Sequence, residues 1–121
     1  MSGLAIGKYI KHMLSGVTTN ISPHFSTDVT PLIAYERTGH EIDAENSSYD
    51  GLAYVTSVRI DLVYNNYDDA VDAAIQVKSL LENKSGQYKN IVVHDCTFDG
   101  AIENTDGNLF QQTLNFDFKT D

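Results

Sequence analysis

A chain of 121 residues has the size of one domain and is long enough to bury a single core. An apolar fraction of 41% excludes wholesale disorder. The 17 acidic and 8 basic residues give a formal net charge of −9, which argues against a nucleic-acid grip, because phosphate binding needs clustered Lys and Arg. The same charge suits solubility, or a surface that nucleic acid slides past without sticking.

Cys96 is the single cysteine, so no intramolecular disulfide framework exists, and a small buried hydrophobe is its expected role. The segment Met1–Leu14 lacks an unbroken apolar core and a small-residue cleavage site, and is not expected to be a signal peptide. No stretch approaches the ~18 apolar residues of a membrane span. A reducing cytoplasm is the expected setting.

Ser2 can cap a first helix in which Ile6, Ile10, Met13 and Leu14 form one apolar stripe. Lys8 and Lys11 fall on its other side, and Gly16 offers a stop. So short a helix must dock on something. Ser, Thr and Asn dominate from Val17 to Thr30, with Pro23 and Pro31 as breakers and room for a short extended piece at Ile21–Phe25. Leu32–Arg37 reads as a strand. The block Gly39–Gly51 is polar and acidic, and is expected as a long mobile loop or an extended hairpin tip.

Tyr54–Tyr64 carries the period-2 alternation of a half-buried strand. Tyr54, Val58, Ile60, Leu62 and Tyr64 share one face; Ser57, Arg59 and Asp61 share the other. Asn65 or Asn66 caps a second helix whose first turn holds Asp68 and Asp69, complementing the dipole. Ala70, Ala73, Ala74, Val77, Leu80 and Leu81 form its wide apolar face, flanked by Val71 and Ile75, which predicts contact with a sheet and with the first helix. Gly86 is its expected end. Ile91–Phe98 predicts a strand covered on both sides at its Ile-Val-Val start. Asp106-Gly107 signals a tight hairpin turn, and Asn108–Phe118 returns with Phe110, Leu114, Phe116 and Phe118 on one face. The expected fold is α+β: one domain over 1–121, with two helices packed on one face of an antiparallel or mixed sheet of about four to five strands. The other face, with Ser57, Arg59, Asp61, Gln111, Thr113, Asn115 and Asp117, is polar and either wet or turned toward a partner.

No catalytic motif accompanies these elements. His12, His24, His40 and His94 form no i, i+3 or i, i+4 pair, so no metal site is expected. The run Asp95, Asp99, Glu103, Asp106 fails the calcium-loop spacing, because Gly100 falls second rather than sixth. The glycine-rich phosphate cradles, the G-x-S-x-G elbow and any cysteine-nucleophile signature are absent. The expectation is a non-enzymatic protein without a cofactor. Its 7 tyrosines and no Trp suit either ordinary strands or a protein interface.

The layout resembles a known family. The helix at Gly3–Leu14, the Ile-x-Pro step at Ile21–Pro23 and the Thr-Pro-Leu-Ile-Ala-Tyr-Glu-Arg run at Thr30–Arg37 come first, before a polar loop. The alternating strand, the helix opening Tyr67-Asp-Asp-Ala-Val-Asp-Ala-Ala and the closing Phe-x-Phe at Phe116–Phe118 complete it. This order is similar to the tail-completion or tail-terminator proteins of long-tailed phages and prophages, the group that includes phage lambda's U-type minor tail protein. The likeness runs from about Gly3 to Phe118 and rests on the order of elements. It implies a ring, typically of six subunits, that caps the tail tube and presents a docking face to the head. The partners would be further copies of the chain, the tail-tube protein and a head or neck connector, with no specific nucleic-acid binding and no membrane. The location would be the host cytoplasm during assembly and then the virion. Within that picture His40, Glu41, Ile42, Asp43, Glu45, Tyr49 and Asp50 of the polar loop are candidate interface residues. A head-completion or neck adaptor, and a cellular small-ligand-binding α+β module, are the competing readings.

Overall fold

In the computed structural model the described residues are 2–23, 25–26, 29–43, 47 and 53–121. A 3-10 turn (Ser2–Ala5) leads into α1 (Ile6–Met13). The remaining elements are β1 (Ile21–Ser22), β2 (Leu32–Ile42), β3 (Tyr54–Tyr64), α2 (Tyr67–Leu81), β4 (Gly86–Tyr88), β5 (Ile91–Asp106) and β6 (Leu109–Thr120). The described strands form one six-stranded sheet in the order β1-β2-β3-β6-β5-β4. Only the β1–β2 pairing is parallel, so the sheet is mixed. The α+β class stands, with more strands than the four to five expected. β1 falls within the short extended piece expected at Ile21–Phe25; the addition is the three-residue β4, too short to carry a periodic signal.

Even-numbered residues of β3 and β6 face the core. Val58, Ile60, Leu62, Leu114, Phe116 and Phe118 are buried there with Ile6, Tyr9 and Ile10 of α1 and Ala73, Val77 and Leu81 of α2. Both helices therefore feed one core. α2 lies over β3 and β6, whereas α1 reaches both β2 and β4. Those strands sit toward opposite edges of the sheet, so the sheet curls to bring both to α1. The approach is tight: a Cβ on Gly7 would sit 2.5 Å from Cε2 of Tyr35. A strand covered on both sides does not form at Ile91: Ile91 and Val93 are buried, but Val92 between them is half-exposed.

Several element ends differ from expectation, each for a local reason. Asn66 caps α2 as expected, its Oδ1 accepting from the backbone N–H of Asp69 at 3.1 Å. The helix stops at Leu81 rather than Gly86, with Asn83 in the left-handed region (φ 59°) and its N–H bonded to the carbonyl of Cys96. β2 does not end at Arg37. An irregularity between Arg37 and Gly39 absorbs a residue, and Gly39–Ile42 continues paired with Ser57–Tyr54. β5 likewise passes through a bulge between Phe98 and Ala101 and runs on to Asp106. The hairpin turn is centred on Gly107-Asn108, one residue later than expected, with Gly107 at φ 61°.

Candidate functional site

The sheet face turned away from the core is neither bare nor simply wet. Register places Ala34, Asp61, Thr113 and Ile102 in one row across β2, β3, β6 and β5. Asp61 is 4% exposed. Its carboxylate accepts from Thr113 Oγ1 at 2.6 Å, Gln111 Nε2 at 3.0 Å and Arg59 Nε at 3.1 Å. Arg59 also reaches Glu36, and Ser57 Oγ donates to Asp117. Beside this network Phe25 lines a hollow of about 200 Å³ with Val63, Leu109 and Gln111, so the segment before β2 shelters part of this face.

Of the seven candidate interface residues, His40, Glu41 and Ile42 lie in β2. Asp43 follows it, with its N–H bonded to the Ala53 carbonyl at 2.8 Å. Glu45, Tyr49 and Asp50 lie outside the described residues. His40 faces inward beneath the N-terminal turn. Its Nδ1 is 2.8 Å from Thr56 Oγ1, and its ring stacks on Tyr54 at 4.8 Å. Its Nε2 is shut from water and has no hydrogen-bond partner among the described residues.

Burial holds the His40 pKa below its ordinary 6.5, and the Arg37 charge pushes the same way. The folded state therefore resists a proton that the unfolded chain accepts near pH 6.5. Above that value His40 contributes no pH dependence. Below it, stability falls until the folded-state pKa is passed. A His40→Gln variant is expected to show a flatter decline in urea midpoint as pH drops below 6.5. Identical slopes in variant and parent would assign the decline to other groups.

Two charged surfaces emerge that the sequence reading did not join. Lys8, Lys11, His12 and Ser15 of α1 and its exit face Tyr88 and Lys89 across a shallow hollow of about 390 Å³. The His12 ring stacks on Tyr88 at 4.3 Å, and Lys89 Nζ lies 5.4 Å from the centre of the same ring. Lys89 holds φ 55°, a conformation that costs a side-chain-bearing residue roughly 1–2 kcal/mol. Glycine would hold the β4–β5 turn more cheaply. At the far end of the sheet, Glu103 accepts from Tyr67 Oη at 2.9 Å and Gln112 Nε2 at 3.0 Å. These bonds lower the Glu103 pKa, while the same contact, with Asp68 nearby, raises that of Tyr67. Asp68, Asp69 and Asp72 are exposed on the first turns of α2, next to Tyr67, whereas Asp106 lies on the other sheet face, in the hollow with Phe25 and Val63. Lys8 and Lys11 were visible as the polar side of the first helix. Lys89 carries no sequence signal linking it to them.

Cys96 is buried, and burial, aided by Asp95, Asp117 and Glu82, pushes its thiol up to about 12. It stays protonated at neutral pH. Among the described residues no group of three or more His, Cys, Asp or Glu side chains is placed to hold a metal ion. No described helix is long and apolar enough to cross a membrane.

The fold is similar to that of a solved virion protein. The match is to a chain of the virion of a native gene transfer agent particle, with a TM-score of 0.64 over 92% of this chain and 83% of that one. Sequence identity is 12%, so the likeness is one of fold. No protein-family model matches the chain, and no curated protein matches it in sequence.

Proposed function

We propose that the chain is a structural protein of a phage-like particle that completes the tail and joins it to the head through protein–protein contacts. The observation that carries this reading is the near full-length likeness to a chain from a gene transfer agent virion. The order of elements, which resembles tail-terminator proteins, supports the same step. The role is non-catalytic and uses no cofactor. The chain acts as a ring, with six copies as the family's usual number, between the tail-tube protein and a head or neck connector. It assembles in the host cytoplasm and stays in the virion. A surface of net charge −9 suits a passage through which DNA moves without binding.

Deleting the gene from the producing phage or prophage and imaging the particles by negative-stain electron microscopy tests this. Tails of uncontrolled length beside unjoined heads are expected. Normal tails beside filled but leaking heads would move the function to the neck. Intact infectious particles would remove the virion reading.

A further inference from the structure

The two charged surfaces lie at opposite ends of the fold. β5 begins beside the Lys89 turn and ends at Asp106, and its sixteen residues span at most roughly 50 Å. The chain has only 8 Lys and Arg in all, and two of them, Arg59 and Lys78, are already paired with carboxylates. Lys8, Lys11 and Lys89 are nonetheless gathered in one hollow, beside the stacked His12 and Tyr88. Lys89 occupies a backbone conformation suited to glycine, so a lysine there is a choice of charge over backbone ease. The opposite end presents Asp68, Asp69 and Asp72 of α2 together with Glu103. Tyr67 and Gln112 hold Glu103 in place through hydrogen bonds.

We infer that the hollow of Lys8, Lys11, His12, Tyr88 and Lys89 is a docking site for the acidic end of a second copy of this chain. The inference rests on the assembly reading above and names the surfaces that reading leaves open. A contact between two different patches is heterologous. Repeated, it closes into a ring or continues as a filament, whereas a self-complementary patch stops at a dimer. Complementary charge also steers encounter and fixes orientation while suppressing like-with-like contacts. A phosphate backbone is the less favoured occupant, because three lysines in so acidic a chain are opposed by the field of the remaining surface.

The test is a charge swap on the full-length chain, with circular dichroism confirming that each variant folds. One variant carries Lys11→Glu and Lys89→Glu; another carries Asp68→Lys and Asp72→Lys. A control, Lys84→Glu with Lys119→Glu, makes the same change in net charge as the first variant, outside the hollow. Sedimentation velocity at millimolar chain and low ionic strength is the readout. The parent and the control are expected to self-associate, with association fading as salt is added. Each swap variant alone is expected to lose association by at least about tenfold, and the equimolar mixture to recover it. A parent that stays monomeric, a control that loses as much as the first variant, or a mixture that fails to recover would overturn the interface. So would parent chain that retains a short DNA duplex through the same two lysines, which would assign the hollow to phosphate. If the swap variants support normal tails in the deletion strain, this interface falls and the assembly reading stands. Intact particles in the deletion strain itself remove that reading, whatever the sedimentation shows.

Discussion

Truncating Asp61 to alanine is expected to cost about 2–4 kcal/mol of stability, while Glu36→Ala costs under about 1 kcal/mol. The two carboxylates share Arg59, and Glu36 makes the shorter contact, 2.6 Å against 3.1 Å. Distance alone would rank them the other way. Solvent reverses the order: the Glu36 and Arg59 side chains are 58% and 43% exposed, so water and salt screen that pair. Asp61 is closed off and serves as acceptor for the Thr113 hydroxyl and the Gln111 amide. Its removal leaves the buried Thr113 hydroxyl without that acceptor, which is dearer than losing a surface ion pair. The half-buried Gln111 amide keeps only Thr113 Oγ1, at 3.2 Å. Asp61→Asn should fall between, since its carbonyl can still accept from Thr113 while its amide now faces donors. Urea unfolding of the three variants checks this ranking, and equal losses at Asp61 and Glu36 would show that the network is solvated after all.

The parts of the fold that side-chain burial determines were legible in the sequence. The cap at Asn66 and the apolar face of Ala70, Ala73, Val77 and Leu81 fixed α2, and alternation fixed β3 and β6. Ile75, on the flank of that face, is 63% exposed because α2 packs on β3 and β6 and leaves this side uncovered. What failed to show was strand held by backbone pairing. Gly39–Ile42 is polar and flanks a bulge, so it reads as loop, yet its register with Tyr54–Ser57 is continuous. Asp99-Gly100 reads as a strand end for the same reason, although a bulge carries β5 past it.

The charged surfaces and the buried face depended on register and topology. Asp61 alternates with apolar neighbours exactly as a solvent-facing residue does; only its pairing with Thr113 reveals that it is enclosed. The basic hollow joins residues 8 to 15 with residues 88 and 89, and only the curl that brings β4 to α1 assembles it. The candidate residues of the polar loop split instead. His40 turned inward onto Thr56, and Glu41 pairs with Val55 on the other face of the sheet.

Phe118→Ala is expected to be the costliest single truncation, at about 3–5 kcal/mol, a large share of the roughly 5–15 kcal/mol that holds a domain of this size. Phe118 is fully buried, opposite Thr56 on β3 and Cys96 on β5. Its ring meets Tyr9 of α1 edge-on at 6.2 Å and lies 6.2 Å from Phe116. An eight-residue helix has almost no stability of its own, so α1 is held by what it packs on. The cavity left by the ring opens directly beneath it. The loss should therefore be uneven: backbone amides of residues 6–14 are expected to exchange with solvent faster, before those of α2. Phe118→Leu retains part of the volume and keeps the comparison readable if the alanine variant unfolds outright. Equal acceleration in both helices would show that the core opens as one unit. An uneven result would carry a functional consequence, because Lys8, Lys11 and His12 ride on α1. A substitution buried on β6 would then weaken the basic hollow without touching any residue that lines it.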